Sequence, residues 1–204
     1  MKASLSTRGK TVRMVQIALL MALEVVLTLL YIPVGTINLN FGLVPIVIAA
    51  IFLGPIAGAL IGCVSGVVTA VQVLTVPSFF NTFLITVNPI AACVISVIKT
   101  AVAGLMVGFV YRFMNRLCKY SWINSLLASV VCPIVNSGIF AVGMFAFFSD
   151  ALLADATLST LGSSVLAIVF VGLIGVNFIV EFIVTALISP ALCKTITAAK
   201  IFSK

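Results

Sequence analysis

Long apolar stretches separated by short polar segments are the feature that most constrains this sequence. Of its 204 residues, 63% are hydrophobic and only 7% are charged, and the mean hydropathy is +1.40. A soluble globular domain carries about 25% charged residues, so this chain could not cover a surface that faces water. Because a membrane-spanning helix needs about 20 mostly apolar residues, the sequence predicts a polytopic membrane protein.

The apolar stretches divide into six predicted transmembrane helices. None of them alternates in polarity as the strands of a membrane barrel do, so we expect an all-α fold with a single membrane domain over residues 1–204. The second is the shortest, and a tilted, re-entrant or irregular segment is an open alternative there. Gly54-Pro55 predicts a tight turn, since glycine accepts unusual dihedral angles and proline favours the first turn of a helix. The predicted spans are approximately residues 15–32, 41–54, 56–74, 87–111, 123–148 and 161–192.

The basic residues predict the orientation of the chain in a cell membrane. There are 11 lysines and arginines, and all but Lys99 fall before the first span, between the fourth and fifth, or after the sixth. The positive-inside rule predicts that these segments, and therefore both termini, are cytoplasmic, whereas Asp150 and Asp155 face outward. The first apolar stretch is longer than the core of a typical signal peptide, so we expect a retained helix. Basic residues scattered over three short segments do not indicate a nucleic-acid partner.

Several kinds of catalytic and metal site are excluded by what the sequence lacks. It contains no histidine, which excludes His-dependent triads and His-ligated zinc within this chain. It has no phosphate-binding loop of the G-x-x-x-x-G-K-[ST] type, and both aspartates lie in an outward loop. The 5 cysteines show no C-x-x-C spacing, which implies neither a disulfide nor a metal site. We therefore expect no catalytic residues and no bound metal.

Polar side chains inside the predicted spans are the candidate functional residues. Glu24, Lys99 and Glu181 each cost about 2.5–3.5 kcal/mol at the centre of a bilayer, so each should face the protein interior or a water-filled cavity. Two interpretations stay open. Lys99 could pair with Glu181 or Glu24 as a structural ion pair, or the polar groups could line a cavity that holds a polar solute. The candidate binding residues inside the spans are Asn88, Lys99, Asn136, Asn177 and Glu181, and the outward loops add Asn40 and Asn81, whose amides are suited to closing over a small molecule.

Small residues at four-residue spacing predict close approach of helix backbones. Gly58, Gly62 and Gly66 share one face of the third helix, and Gly104 and Gly108 share one face of the fourth. Packing within the bundle is the simpler explanation for both sets. Ala18-x-x-x-Ala22 has the same spacing near the cytoplasmic edge of the first helix, where another membrane protein could pack.

With these features, the sequence resembles the substrate-binding S components of energy-coupling factor (ECF) transporters. The resemblance extends over nearly the whole chain and depends on the order of several segments rather than on one motif. They are the basic start before Ala18-x-x-x-Ala22, Ile37-Asn-Leu-Asn-Phe-Gly-Leu-Val-Pro45, Phe52-Leu-Gly-Pro-Ile-Ala-Gly-Ala-Leu60, Asn88-Pro89 followed by Lys99 and Ala103-Gly104, Cys132-Pro-Ile-Val-Asn136, and Asn177-Phe-Ile-Val-Glu181.

The resemblance implies a vitamin-binding subunit of an ATP-driven importer. Its Ala18 and Ala22 face would dock on a membrane scaffold subunit coupled to two ATP-binding-cassette ATPases, and the loaded subunit would topple to release its substrate inside. ATP would be used by those partners, so this chain would need no cofactor. The sequence is most similar to the pantothenate, folate and riboflavin subgroup, of which pantothenate is favoured. The alternatives are a self-sufficient, ion-coupled secondary transporter and a structural membrane protein that binds no solute.

Overall fold

A bundle of α-helices makes up the protein. The computed structural model describes residues 7–30, 32–34, 37–39, 41–155, 158, 162 and 164–198. The all-α fold predicted from the sequence is confirmed, because the strands of the described residues form only one small antiparallel hairpin. In chain order the elements are α1 (Thr7–Leu29), β1 (Ile32–Val34), β2 (Ile37–Leu39), α2 (Leu43–Phe52), α3 (Pro55–Thr75), α4 (Phe79–Val87), α5 (Pro89–Leu117), α6 (Ser121–Ala154), α7 (Val165–Ala167), a π-helical segment (Ile168–Ile174) and α8 (Gly175–Ala198).

Within the described residues, five helices are long and apolar enough to cross a membrane: α1, α3, α5, α6 and the Asn177–Ile196 part of α8. The second predicted span is instead the 10-residue helix α2. At 1.5 Å per residue it is about 15 Å long, half of the roughly 30 Å hydrocarbon core. It is a regular helix and lies inside the bundle, packed against α1, α3, α5, α6 and α8. Because Leu43 to Ile51 are all buried, this short helix is shielded from lipid by its neighbours.

Basic side chains hold the turn between α2 and α3. The Arg13 guanidinium donates a hydrogen bond to the Leu53 carbonyl over 2.7 Å, and the Arg112 guanidinium lies against Gly54. Gly54 has a φ of +97°, and Pro55 begins α3, so the predicted tight turn is confirmed. We call this end of the bundle, where α1 begins and α5 and α8 end, the basic end.

Glycines bring α3 and α5 into backbone contact. A Cβ on Gly58 would lie 2.6 Å from the Gly104 carbonyl oxygen, and a Cβ on Gly104 would collide with the Gly58 carbonyl. A Cβ on Gly62 would collide with the backbone of Thr100. The interpretation of these glycines as packing residues within the bundle is therefore confirmed.

The connection between the third and fourth predicted spans contains the helix α4. Ser78 is its N-cap, since its hydroxyl oxygen accepts a hydrogen bond from the Asn81 backbone N–H over 3.1 Å. An apolar face with helical spacing packs against the core, and its buried side chains are Phe80, Phe83 and Leu84. Polar residues between these apolar ones suggested a loop, but capping and the apolar face favour a helix.

The long helices also extend beyond their predicted ends. α5 continues to Leu117 and α6 to Ala154, so the first part of the loop expected at residues 149–160 is helical. Leu152, in the last turn of α6, is fully buried in the core. Burial of apolar side chains therefore extends α6 past the point where its sequence becomes more polar.

Candidate functional site

A polar cavity of about 130 Å³ lies among α3, α4, α5, α6, the π-helical segment and α8. Lys99, on its wall, is ten residues after Pro89 at the start of α5, which places it about 15 Å along that helix. Since α4 residues also line the cavity, it occupies the half of the bundle opposite the basic end. Leu173 and Ile174 of the π-helical segment contribute to the wall, and π-helical turns occur frequently at functional sites.

Glu181 is the centre of a hydrogen-bonded group in this cavity. The Asn136 side-chain amide donates to Glu181 Oε2 over 3.3 Å, and the Asn177 amide donates to Oε1 over 3.1 Å. This arrangement uses the NH₂ groups of both asparagines. Their amide oxygens are buried and have no hydrogen-bond partner among the described residues. Since buried acceptors are normally satisfied, these two oxygens are available to a ligand.

Lys99 is the cation on the cavity wall. Its ammonium nitrogen lies 5.1 Å from the centre of the Phe140 ring, within the range of a cation–π interaction. It also attracts Glu181 electrostatically, but no salt bridge within 4.0 Å joins Lys99 to Glu181 or Glu24 in the described part of the chain. The direct ion pair considered from the sequence is therefore absent there, and the ammonium hydrogens remain available in the cavity.

Asn81 and Gln72 connect the wall of the cavity to its surroundings. The Asn81 amide donates to the carbonyl of Val76 over 2.9 Å and to that of Gln72 over 3.4 Å, which ties α4 to the end of α3. The Gln72 side chain donates to the Thr28 carbonyl of α1 over 3.1 Å. Asn81 and Gln72 both line the cavity, so helix-to-helix contacts hold this part of its wall in place.

The cavity brings together five of the seven candidate binding residues: Asn81, Lys99, Asn136, Asn177 and Glu181. Asn88 is not among the lining residues, and its side-chain oxygen instead accepts a hydrogen bond from the Ala91 N–H as the N-cap of α5. Asn40 lies outside the described residues. Glu24 is buried between α1 and α3, where the Thr28 hydroxyl donates to its carboxylate and the Ser65 hydroxyl lies beside it.

Other residues line the cavity without having been singled out in the sequence, among them Thr69, Gln72, Ser96, Ser137 and Phe140. Helical spacing was the available signal for two of them. Ser96 precedes Lys99 by three residues and Phe140 follows Asn136 by four, so each shares a helix face with a candidate residue. Thr69 and Gln72 could not be found in this way, because α3 carries none of the candidates.

The Ala18 and Ala22 face of α1 is not covered by any other described part of the protein. Both alanines are exposed, and so are Val15, Leu19 and Val26 around them. The face therefore meets either lipid or another membrane protein. It contrasts with the glycine faces of α3 and α5, which are covered by each other.

Together, the bundle and its cavity define a class of protein: a polytopic membrane protein with a polar cavity among its helices. The particular family follows from comparison with known proteins. Residues 12–193 match the family of ECF transporter substrate-specific components, and the chain belongs to this family. Its members are transporter components that recognise substrate, rather than enzymes.

Two solved structures have a similar fold. ThiT from Listeria monocytogenes has a TM-score of 0.66 and 16% sequence identity, covering 95% of this chain and 98% of that one. The S component of a bacterial ECF transporter has a TM-score of 0.57 and 20% identity, covering 92% and 98%. No curated protein matches the chain. At these identities the similarity concerns the fold alone.

Proposed function

We propose that this protein is the substrate-specific subunit of an ECF importer that captures a small, carboxylate-bearing vitamin, with pantothenate as the favoured substrate. Folate and riboflavin are the other members of the subgroup to be tested. The observation that supports this proposal is the set of unsatisfied groups in the cavity. It combines one ammonium group, on Lys99, with the two buried amide oxygens of Asn136 and Asn177.

These groups select a ligand by complementarity. An ammonium favours a carboxylate, and a charge-assisted hydrogen bond of this kind is roughly twice as strong as a neutral one. The two amide oxygens favour hydroxyl or N–H donors. Glu181 fixes this pattern, because a carboxylate only accepts hydrogen bonds and so keeps the NH₂ groups of Asn136 and Asn177 turned toward itself.

Pantothenate carries this combination of groups in a small molecule. Its carboxylate would meet Lys99, and its two hydroxyls and amide N–H would supply donors to Asn136 and Asn177. Riboflavin has hydroxyl donors but no carboxylate, and folate has carboxylates but a large stacked ring system. Thiamin carries a positive charge, which Lys99 would repel.

Transport would require partner subunits. In the proposed arrangement, the exposed Ala18 and Ala22 face of α1 docks on a membrane scaffold subunit, two ATPases hydrolyse ATP, and the loaded subunit topples to release the vitamin inside. This chain itself would need no cofactor. Both termini and the basic end would be cytoplasmic, as the positive-inside rule predicts, with the cavity loading from outside.

Binding by the isolated chain is the first test. The purified protein is titrated with pantothenate, riboflavin, folate and thiamin by calorimetry, and small molecules that copurify with it are identified by mass spectrometry. We expect tight binding of pantothenate and none of thiamin. Binding of a different vitamin would contradict the substrate assignment, and failure of every vitamin to bind or to raise the melting temperature would favour a structural membrane protein.

Uptake is the second test. Proteoliposomes that contain this chain alone should not accumulate the vitamin under a proton or sodium gradient, whereas addition of the scaffold subunit, the ATPases and ATP should permit uptake. Robust accumulation driven by a gradient, without partners, would contradict the proposal and favour a self-sufficient secondary transporter.

A further inference from the structure

A second cavity, of about 470 Å³, lies at the basic end between the C-terminal part of α8 and the connection from α5 to α6. Its floor is apolar and includes Ile51 of α2 and Pro190 of α8. Two lysines, Lys119 and Lys194, stand at its rim and are exposed. No residue of the polar binding cavity contributes to it, so it is a separate site.

The cations at this end have no acidic side chain near them in the sequence. The chain has only 4 acidic residues. Glu181 precedes Lys194 by thirteen residues, about 20 Å along α8, and Glu24 follows Arg13 by eleven, about 16 Å along α1. The remaining two, Asp150 and Asp155, lie at the far end of α6. Neither Lys119 nor Lys194 has a hydrogen bond or salt bridge within the described residues, so both ammonium groups are available to an anion.

Aromatic side chains surround the same cavity. Tyr111, Tyr120 and Trp122 line it, and Tyr120 and Trp122 are 67% and 59% exposed. Tyrosine and tryptophan are enriched at the level of lipid headgroups, where one end of the ring is apolar and the other is hydrated. Tyr120 is also the N-cap of α6 without a side-chain hydrogen bond, which leaves the first N–H groups of a long helix near the cavity, and such groups favour anions.

An exposed apolar stripe leads from the cavity along α8. Lys194, Leu187 and Ile183 are separated by seven and four residues and therefore share one face of the helix. Leu187 is 68% exposed and Ile183 is 49% exposed. The distance from Lys194 to Ile183 is about 16 Å, close to half of the roughly 30 Å hydrocarbon core. A charged head at Lys194 and an acyl chain along Leu187 and Ile183 would thus match one leaflet.

We propose that this cavity binds the headgroup of an anionic phospholipid from the leaflet at the basic end. The phosphate contacts Lys119 and Lys194, the aromatic side chains bracket the glycerol region, and an acyl chain follows the stripe on α8. The lysines supply the attraction for an anion, and the stripe distinguishes a lipid from a free phosphate. Basic pockets between transmembrane helices are known to hold such headgroups.

The test uses the full chain in nanodiscs that contain phosphatidylcholine with or without phosphatidylglycerol. Lipid that the protein retains is measured by native mass spectrometry. The double variant Lys119→Gln/Lys194→Gln should reduce the preference for phosphatidylglycerol at least about tenfold, the value of one charge-assisted hydrogen bond to the phosphate. The matched control is Lys10→Gln/Arg116→Gln, which removes two exposed cations outside the cavity and should leave the preference near the wild-type value.

Three results would overturn the proposal. One is the absence of any preference for phosphatidylglycerol, and another is an equal loss in the control variant, which would assign the effect to surface charge in general. The third is unchanged lipid retention by the Lys119→Gln/Lys194→Gln variant. If that variant also fails to assemble with a partner protein, the lysines bind the partner rather than a lipid. As a soluble probe, sn-glycerol 3-phosphate should not raise the melting temperature. Unaltered vitamin affinity in the variant shows that the fold is intact.

Discussion

Replacement of Lys99 by methionine separates the two roles that this residue could have. Methionine keeps much of the length of the side chain and removes the ammonium. If Lys99 contacts the carboxylate of the substrate, the variant loses one charge-assisted hydrogen bond, which contributes about 1.5–3 kcal/mol. The Kd for pantothenate should therefore rise by about 10- to 150-fold.

The free energy of unfolding should respond differently. Removing one partner of a buried ion pair costs about 3–5 kcal/mol, because the other charge is left uncompensated. Here the Glu181 carboxylate already accepts hydrogen bonds from Asn136 and Asn177, and the Lys99 ammonium lies 5.1 Å from the centre of the Phe140 ring. A cation–π contact contributes about 0.5–2 kcal/mol, so we expect a loss of about 1 kcal/mol in stability.

Affinity is measured by calorimetry and stability by thermal unfolding of the ligand-free protein in the same detergent. Lys99→Arg keeps the charge and should retain most of the affinity, and Lys10→Met, at an exposed position of α1, is the matched control for the change of residue type. Unchanged affinity in Lys99→Met would refute the proposed contact with the substrate. A large loss of stability together with unchanged affinity would assign Lys99 to a structural pair with Glu181.

Three further predictions concern the cavity, the docking face and the helix packing. Asn136→Ala should weaken pantothenate binding by about 2- to 12-fold, the value of one hydrogen bond of 0.5–1.5 kcal/mol, and an unchanged Kd would exclude its amide oxygen from the site. Ala22→Trp should preserve vitamin binding yet abolish uptake by the assembled transporter; uptake at the wild-type rate would mean that this face does not dock. Gly62→Ala should lower the free energy of unfolding by about 1–3 kcal/mol, because its Cβ would meet the Thr100 backbone. Gly138→Ala, whose Cβ would have nothing within 4 Å, should not lower it, and equal melting temperatures would contradict the packing argument.

Most of the fold was predictable because lipid is a demanding solvent. Each long apolar stretch must satisfy its backbone hydrogen bonds internally, which leaves the helix as the structure of that segment. The sequence was less informative where protein replaces lipid around the chain. Helix α2 can be only 10 residues long because the surrounding helices shield it, and α4 forms because Ser78 caps it and its apolar face, which includes Phe80, is buried.

The sequence predicted which types of residue the candidate site contains, but not which particular residues line it. Polar residues inside a membrane must face protein or water, and this rule selected Lys99, Asn136 and Glu181. It could not predict that Asn88 caps α5 whereas Asn81 lines the cavity, since both side chains are amides. Which asparagine faces a cavity depends on the rotation of its helix, and neighbouring helices set that rotation.

The sequence by itself determined that this is a helical membrane protein, where its long helices lie, and which three charges the membrane must accommodate. These are local properties, fixed by the cost of exposing charge and backbone to hydrocarbon. Only the tertiary structure decided how the charges are used. It gave Glu181 two asparagine donors, left Lys99 beside Phe140, and buried Glu24 elsewhere. The physical reason is that hydrogen bonds act over about 3 Å, and such distances between residues far apart in sequence are set by packing.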